Sequence, residues 1–184
     1  MTILSIIGTS GVGKSFLVKQ LAAIEGLPAF FEGEEGTIPK EVLENVFSKK
    51  DSIQRYDWFL NHYKKILDNA RKVSDNGLDC YTDCSETLAK AILTVEKAEI
   101  KLNLPKSDKT IILTASKEKL QELINLRARD SENNEKAIIR ALKIQEHLIK
   151  LARKESLIII DRSNLDFTKE EDLKKILKKI KSLN

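Results

Sequence analysis

One stretch near the start of the chain constrains its fold more than any other. It consists of Gly8, Thr9, Ser10, Gly11, Val12, Gly13, Lys14 and Ser15. These residues match the phosphate-binding pattern G-x-x-x-x-G-K-[ST] at every fixed position. A short β-branched run, Ile3–Ile7, precedes them, and apolar residues at helical spacing follow from Phe16 to Ile24. The chain is therefore expected to begin with a buried strand, a phosphate-binding loop and a helix.

The residue types in this loop suit the binding of a nucleotide. Gly8 and Gly13 lack a Cβ, so the loop can adopt positive φ and bring its N–H groups close to phosphate oxygens. The loop ends at a helix N-terminus, whose partial positive charge favours an anion. We expect Lys14 to reach the β- and γ-phosphates and the Ser15 hydroxyl to hold Mg²⁺. ATP and Mg²⁺ are therefore the predicted cofactors.

The composition is typical of a soluble globular protein. The 184 residues suffice for one domain with a full core, which we expect to span residues 1–184. Apolar residues make up 41% and charged residues 33%, which argues against a disordered chain. The net charge of +4 does not favour a nucleic-acid partner, and no apolar run approaches the roughly 20 residues of a membrane helix. Two cysteines are too few for a disulfide scaffold or a closed zinc site. We expect a cytoplasmic protein without membrane or nucleic-acid partners.

Short apolar runs alternate with helical patterns along the whole chain. Strands are predicted at Ile3–Ile7, 29–31, 78–82, 110–114 and 157–160, and the longer helices at 51–73, 86–102, 117–126, 134–154 and 169–183. This alternation predicts an α/β fold in which a five-stranded parallel sheet is flanked by helices on both faces. Together with the loop, it predicts the three-layer P-loop NTPase fold. The basic amphipathic helix at the end is expected to pack on the sheet, the alternatives being contact with a membrane or with RNA.

Acidic or cationic residues follow several of the predicted strands. Glu32 follows strand two, Asp83 follows strand three, and Asp161 follows strand five. Arg127 and Arg129 lie one helix after strand four. Because ligands bind at the carboxyl ends of the strands in open α/β sheets, we expect these residues near the phosphate-binding loop. Phosphoryl transfer needs a metal ion, cations and a base, and these residue types supply all three functions.

The order of these segments resembles the deoxynucleoside kinase family of P-loop kinases, which is related to thymidylate kinase-like enzymes. The stretch from Ile111 to Glu132 is similar to the strand and the Arg-Gly-Arg-x-x-Glu lid of that family. Ile53-Gln54-Arg55-Tyr56 resembles the Phe-Gln-x-x signature on its third helix. Glu32 stands where the family has a glutamate after strand two, and Asp83-Cys84-Ser85 stands where it has Asp/Glu-Arg-Ser.

The resemblance implies an ATP-dependent kinase that phosphorylates the 5′-hydroxyl of a (deoxy)nucleoside. Lys14 and the loop amides would hold the phosphates, and Ser15 and Asp83 would hold Mg²⁺. Arg127 and Arg129, on a lid at about residues 127–135, would close over the transferred group, with Arg127 also contacting ATP. The long apolar helices and the habit of the family are compatible with a homodimer.

The resemblance also implies where the acceptor would bind. Glu32 would take the proton of the 5′-hydroxyl, and Gln54 would read the nucleobase with its amide. Tyr56, Trp58, Phe59 and Tyr63 recur at helical spacing in the same predicted helix as Gln54, a pattern that is typical of core residues. The alternative is that Tyr56 or Trp58 lines the nucleoside pocket. Glu32, Gln54, Tyr56 and Trp58 form the predicted acceptor half of the site.

One departure from the family pattern leaves alternative functions open. Cys84 stands where the family has an arginine, a cation expected near the transferred phosphate, and Arg127, Arg129 or Arg55 would have to compensate. One alternative is a nucleoside monophosphate kinase, which needs further cations for its acceptor phosphate. The other is a non-catalytic nucleotide-binding protein, for which Cys84 is the best support. Asp161-Arg162-Ser163 repeats the missing motif after the last strand, where we expect a mainly structural role, the alternative being a loop that faces the adenine of ATP.

Overall fold

Strands and helices alternate along the described part of the chain. The computed structural model describes residues 1–33, 39, 42, 52–127 and 135–182, and the side chains of residues 52–55 and 127 lie outside the description. The strands are β1 (Ile3–Ile7), β2 (Ala29–Phe30), β3 (Cys80–Thr82), β4 (Lys109–Thr114) and β5 (Ile158–Asp161). The helices are α1 (Lys14–Glu25), α2 (Ser52–Asp75), α3 (Glu86–Val95), α4 (Lys117–Arg127), α5 (Glu135–Glu155) and α6 (Glu170–Lys181).

The five strands form one parallel sheet in the order β2-β3-β1-β4-β5. β1 is central and pairs with β3 on one side and β4 on the other, with Ser5 opposite both Thr82 and Thr110. β2 and β5 complete the two edges, again in parallel. The predicted five-stranded parallel sheet flanked by helices is confirmed.

Helices cover both faces of this sheet, which explains why its strands are apolar without a polar face. Ile6 of β1 packs into the cluster that contains the buried faces of α1 and α6, whereas its neighbour Ile7 packs among residues of α2 and α3. In β4, Ile111 belongs to the same cluster as Ile6, and Ile112 belongs to the same cluster as Ile7. Successive side chains of a strand point to opposite faces, so both faces contribute to a buried core.

All five strands end at the same edge of the sheet because they run in parallel. The phosphate-binding loop follows β1 at this edge, Glu32 follows β2 by two residues, and Asp83 follows β3 directly. The topology thus brings together residues that are 51 and 68 positions apart in the chain, as the bonds that Asp83 accepts from Glu32 and from Ser15 show.

The helix predicted at 86–102 is shorter than expected and ends at Val95. Glu96 is its C-cap, and Lys97 adopts a left-handed conformation with φ of 55°. The Ala98 N–H donates to the Leu93 carbonyl at 2.9 Å, and the Lys97 N–H donates to the Thr94 carbonyl at 3.2 Å. These two bonds form a Schellman motif, a C-terminal arrangement in which glycine usually supplies the left-handed residue. The boundary was missed because a lysine occupies that position.

The last helix, α6, packs on the sheet with its apolar face inward. Leu173, Ile176, Leu177 and Ile180 are all buried in the same cluster as the apolar face of α1. Its lysines lie mostly on the exposed face, as is expected for a helix that packs on the sheet at the protein surface. Among the described residues, no helix combines the length and the apolar character needed to cross a membrane.

Candidate functional site

The phosphate-binding loop contains three glycines that are needed for two different reasons. Gly11 and Gly13 have φ of 80° and 91°, in the left-handed region that disfavours a side chain. Gly8 does not have positive φ, so the expectation for this residue was wrong. A Cβ at Gly8 would lie 2.5 Å from the Leu113 carbonyl oxygen, so this glycine permits close packing of the loop against β4.

The start of α1 is arranged to receive an anion. Gly13 is the N-cap residue and offers no side chain to the first N–H groups, and the first turn contains no acidic residue. Lys14 is the first helical residue and is 9% exposed, with its Nζ donating to the Thr9 carbonyl at 3.3 Å. A helix N-terminus with a buried lysine and no acidic side chain in its first turn favours phosphate oxygens. This geometry suits the predicted role of the loop.

The buried carboxylate of Asp83 joins three parts of the candidate site. Its Oδ2 accepts a short hydrogen bond from the Ser15 hydroxyl at the start of α1. Its Oδ1 accepts a bond of 2.5 Å from the backbone N–H of Glu32 in the segment after β2. Asp83 is fully buried at the end of β3. One side chain therefore holds the ends of β2 and β3 against the phosphate-binding loop.

Burial changes the acidity of this carboxyl group. Desolvation, followed by the nearby negative charge of Glu32, raises the pKa of Asp83 to about 6 from its ordinary value of 3.8. The positive charge of Lys14 and the bond from Ser15 act in the opposite direction. In the described part of the site, the carboxylates of Asp83 and Glu32 thus lie near a single positive charge, that of Lys14. This arrangement favours the binding of a further cation.

Two buried hydroxyl groups form hydrogen bonds to the backbone of the turn that contains Asp83. Thr82 Oγ1 donates to the Cys84 carbonyl at 2.8 Å, and Ser5 Oγ donates to the same carbonyl at 3.1 Å. The Cys84 side chain is fully buried among apolar residues of α2, α3 and α5. Burial and the neighbouring acids raise the pKa of this thiol, so Cys84 is a neutral core residue. It contributes no cation to the site.

Glu32 is held by a residue that the sequence did not identify. Tyr63, on α2, donates its hydroxyl to Glu32 Oε1 at 2.7 Å, and the other oxygen, Oε2, lies 3.9 Å from Lys14 Nζ. Tyr63 is 3% exposed, and burial, followed by the charge of Glu32, raises its pKa, so the phenol remains a hydrogen-bond donor. Sequence reasoning considered Tyr63 a core aromatic. Its hydroxyl was the available signal, because a buried tyrosine needs a polar partner.

Arg162 lies in the loop after β5 and contacts the backbone of the phosphate-binding loop. Its Nη1 donates to the Val12 carbonyl at 2.8 Å, and its Cζ lies 4.2 Å from the centroid of the Phe167 ring. A Cβ on Gly13 would collide with this guanidinium, so Gly13 is needed for the close approach as well as for its φ. Burial lowers the pKa of Arg162 from its ordinary value, and arginine side chains remain charged in proteins. The segment Asp161-Arg162-Ser163 thus has a structural role, because its arginine supports the phosphate-binding loop.

Other predicted site residues are only partly described. Gln54 lies in the first turn of α2 and Arg127 ends α4, but the side chains of both lie outside the description, and so does all of Arg129. Tyr56 is buried on α2, and its hydroxyl donates to Glu96 at 2.5 Å. Trp58 is half-buried and stacks on His62 with ring centroids 4.8 Å apart. The reading of Gln54, Arg127 and Arg129 as site residues therefore stays a prediction.

The described residues fit Mg²⁺ only together with a nucleotide. Within the described ranges, no group of three or more His, Cys, Asp or Glu could hold a metal ion. Magnesium is usually held by one or two carboxylates, with waters and substrate phosphates supplying the other oxygens. The Ser15 hydroxyl and the Asp83 carboxylate are hard oxygen ligands at the N-terminus of α1, where phosphates would bind. Ser15 and Asp83 are therefore suited to complete the coordination of a nucleotide-bound magnesium.

Solved structures share this arrangement of elements, although few of their residues are identical to those of this chain. No protein-family model and no curated protein matches the chain. Deoxyadenosine kinase from M. mycoides with bound dATP gives a TM-score of 0.73 at 15% identity, covering 97% of this chain and 99% of that chain. Its complex with the products dCMP and dCDP gives 0.71 at 16% identity, covering 98% and 99%. Thymidylate kinase from Candida albicans gives 0.69 at 12% identity, covering 98% and 91%. The chain thus has a P-loop kinase fold.

The raised pKa of Asp83 predicts a pH-dependent effect of Asp83→Asn on stability. Between pH 4 and 6 the folded protein keeps a proton that the unfolded chain has released, so ionisation of Asp83 makes the wild type progressively less stable as pH rises. The amide in the variant cannot ionise, so the stability of the variant relative to the wild type should rise across this interval and level off above it. Urea denaturation at pH 4.5 and 7.5, with EDTA and without nucleotide, measures this difference.

Asp68→Asn is the control for this experiment, because it removes an exposed carboxylate that pairs with Lys64 on the surface of α2. A stability difference between Asp83→Asn and the wild type that is the same at both pH values would contradict the prediction.

Proposed function

We propose that this chain is a kinase that transfers the γ-phosphoryl group of ATP to the 5′-hydroxyl of a (deoxy)nucleoside. The observation that carries the proposal is the convergence of Lys14, Ser15, Glu32 and Asp83 at one edge of the sheet. A lysine and a hydroxyl suit a nucleotide with its metal ion, and a glutamate beside them suits a proton acceptor. The P-loop kinase fold supports this reading. The single domain of residues 1–184 and the lid at residues 127–135 belong to the same proposal.

In the proposed reaction the acceptor oxygen forms a bond to the γ-phosphorus, and the bond from that phosphorus to the departing ADP oxygen breaks. Glu32 accepts the proton of the hydroxyl as this bond forms. Lys14 and the first N–H groups of α1 hold the phosphate oxygens and balance their charge. Bound Mg²⁺ supplies further neutralisation of the phosphates. Tyr63 keeps the Glu32 carboxylate in place through its hydrogen bond of 2.7 Å.

The charges of the site favour a hydroxyl acceptor over a phosphate acceptor. Glu32 and Asp83 place two carboxylates near one lysine, and the buried Cys84 adds no cation beside them. A nucleoside monophosphate would bring about two further negative charges to this position, where like charges repel. A neutral nucleoside adds no negative charge, and its hydroxyl would lie near a carboxylate that can accept its proton. Nucleoside phosphorylation is therefore proposed ahead of monophosphate phosphorylation.

Incubation with ATP, Mg²⁺ and a panel of nucleosides and nucleoside monophosphates tests the proposal. We expect at least one nucleoside to yield its 5′-monophosphate, with equimolar ADP, faster than any monophosphate yields a diphosphate. Product identification by chromatography and mass spectrometry distinguishes the two. Diphosphate formation alone would favour a monophosphate kinase. Binding of ATP with no phosphorylated product would favour a non-catalytic nucleotide-binding protein.

The role of Glu32 predicts a large loss of turnover in Glu32→Gln. Removal of a general base should lower kcat about 10²–10⁴-fold, because the amide cannot accept the proton. ATP binding should change little, since the loop and α1 are intact. Steady-state kinetics with the best nucleoside and nucleotide titration measure the two effects.

Glu25 offers a closely matched control for Glu32. It lies at the far end of α1, accepts a hydroxyl bond of 2.5 Å from Tyr81 and pairs with Lys181 at 2.8 Å. Glu25→Gln therefore makes the same chemical change in a similar setting away from the phosphate-binding loop. Equal turnover in Glu25→Gln and Glu32→Gln would contradict the assignment of Glu32.

Tyr63→Phe should lower kcat while leaving the KM for ATP unchanged. The lost bond orients the proposed base, and a single hydrogen bond contributes enough for a fall of about 2–10-fold. Tyr81→Phe removes the equivalent hydroxyl bond to Glu25, so both variants should lose similar stability and only Tyr63→Phe should lose turnover. Equal kcat in both would show that the Tyr63 hydroxyl acts on stability alone.

A further inference from the structure

A buried glutamine holds the point at which the chain leaves β4 for α4. Gln145, on α5, is 8% exposed, and its Oε1 accepts a bond of 3.0 Å from the backbone N–H of Ala115. Its Nε2 donates to the carbonyl of the same residue at 2.8 Å. Ala115 follows β4 directly and is itself buried. One side-chain amide therefore satisfies both backbone groups of the residue that follows the strand.

The need for backbone partners does not by itself explain this glutamine. Buried N–H and C=O groups require partners, but a side chain from a neighbouring loop can supply one. The next residue shows this, because the Ser116 N–H donates to Ser163 Oγ at 2.8 Å. Ordering a long side chain such as glutamine also costs conformational entropy. Gln145 differs from Ser163 in what it connects, because it ties the segment before α4 to the middle of α5, 30 residues further along the chain.

Helix α4 contacts the phosphate-binding loop through one buried side chain. A Cβ on Gly11 would lie 2.5 Å from Cγ1 of Ile124, and the three atoms nearest to that position all belong to Ile124. Ile124 and Leu120, one turn apart on α4, are 2% and 0% exposed and belong to the same cluster as Val12 of the loop. Ile124 thus packs directly on the backbone of Gly11, a residue with φ of 80°.

The bonds of Gln145 and the contact of Ile124 hold α4 at two positions that are nine residues apart in the chain. At a rise of 1.5 Å per residue, Ala115 and Ile124 are about 13 Å apart, so a tilt of about 10° at Ala115 would move Ile124 by about 2 Å. A displacement of this size would remove the contact of Ile124 with Gly11. Arg127, which the proposed function assigns to ATP, ends the same helix and would move with it.

We infer that Gln145 and Ile124 are positioning residues for the donor nucleotide, an inference that rests on the proposed function. Gln145 fixes the direction in which α4 leaves the sheet, and Ile124 transmits that direction to Gly11 in the phosphate-binding loop. The ligand that depends on them is a nucleoside triphosphate, because the proposed function places its phosphates on this loop. The acceptor side should be independent of α4, since Glu32 is held by Asp83 and by Tyr63 of α2.

Gln145→Met removes both bonds to Ala115 and keeps a side chain of similar length. The variant should raise the Kd for MgATP about 10-fold, because the position of α4 that supports the loop would be occupied only about a tenth of the time. The KM for the best nucleoside should stay at its wild-type value. Calorimetric titration with MgATP in the absence of acceptor measures the Kd, and steady-state kinetics measure the KM. An unchanged Kd for MgATP in folded Gln145→Met would overturn the inference.

Arg71 supplies a matched control at the other end of β4. It lies on α2, and its guanidinium donates to the Lys106 carbonyl at 2.7 Å and to Asp108 at 3.2 Å, just before the strand begins. Arg71→Met therefore removes hydrogen bonds that hold the chain where it enters β4, as Gln145→Met does where it leaves the strand. The control should lose stability without a change in the Kd for MgATP. An equal rise of this Kd in both variants would show a general loosening and would contradict a positioning role.

Ile124→Ala tests the second contact and leaves the bonds of Gln145 in place. It should raise the Kd for MgATP by a similar factor, whereas Ile144→Ala should leave it unchanged. Ile144 is next to Gln145 in the chain and is also 2% exposed, but it belongs to the cluster on the other face of the sheet. The double variant of Gln145→Met and Ile124→Ala should bind MgATP little more weakly than the weaker single variant, because both changes act on one contact. Multiplied effects would show that Gln145 acts by another route, against the inference.

Failure of this inference and failure of the proposed function give different results. If the wild type phosphorylates a nucleoside and the variants bind MgATP as tightly as it does, the function stands and the inference is overturned. If the wild type binds MgATP but phosphorylates no nucleoside, the phosphoryl-transfer proposal fails, and the titrations still decide the inference. Absence of MgATP binding by the wild type would overturn both. If Gln145→Met does not fold, equal Kd values for MgATP in Ile124→Ala and Ile144→Ala would overturn the inference.

Discussion

The candidate site depends on one buried carboxylate. Asp83 follows β3 directly and accepts bonds from the Ser15 hydroxyl and from the backbone N–H of Glu32. These two bonds connect the phosphate-binding loop with the segment after β2, which is not adjacent to β1 in the sheet. Removal of Asp83 from water raises its pKa, so its ionised form is maintained against a desolvation cost. A bound cation would offset that cost, which links the stability of this centre to its occupancy.

A second constraint is the close approach of other parts of the chain to the phosphate-binding loop. Gly8 packs against the Leu113 carbonyl, and Gly13 lies against the Arg162 guanidinium. The bond from Arg162 to the Val12 carbonyl supports the loop from the side of β5. The loop is thus held by β4 and by the segment after β5, while Asp83 holds Ser15 at the start of α1. In the proposed function, this support holds the loop N–H groups in position before a nucleotide binds.

One face of α2 contacts two carboxylates of other elements. Tyr63 contacts the carboxylate next to the phosphate-binding loop, and Tyr56 contacts the carboxylate at the end of α3. Sequence periodicity identified these aromatics as a helical stripe, and both are buried as a stripe would be. Their hydroxyl groups have a second role, because each donates a hydrogen bond to a glutamate of another element. The helix therefore contributes to the core and also fixes the positions of two charged groups.

Local sequence patterns were sufficient to predict the sheet and the loop that follows its first strand. The apolar runs predicted five strands, and the G-x-x-x-x-G-K-[ST] pattern predicted the loop and the start of α1, because both depend on residues adjacent in the chain. The position of Asp83 beside Ser15 also followed from the rule that parallel strands end at one edge. The end of α3 was predicted too far along the chain, since Lys97 takes the left-handed position usually held by glycine.

The tertiary structure alone decided the partners of these residues. The bond from Tyr63 to Glu32 joins residues 31 positions apart, and the bond from Arg162 to Val12 joins residues 150 positions apart. The ion pair of Arg140 with Glu96 joins residues 44 positions apart. No local pattern records such pairs, because they arise only when separate elements pack together. The sequence by itself thus determined a P-loop fold with a phosphate-binding loop and a nearby carboxylate, and packing decided which tyrosines and cations surround them.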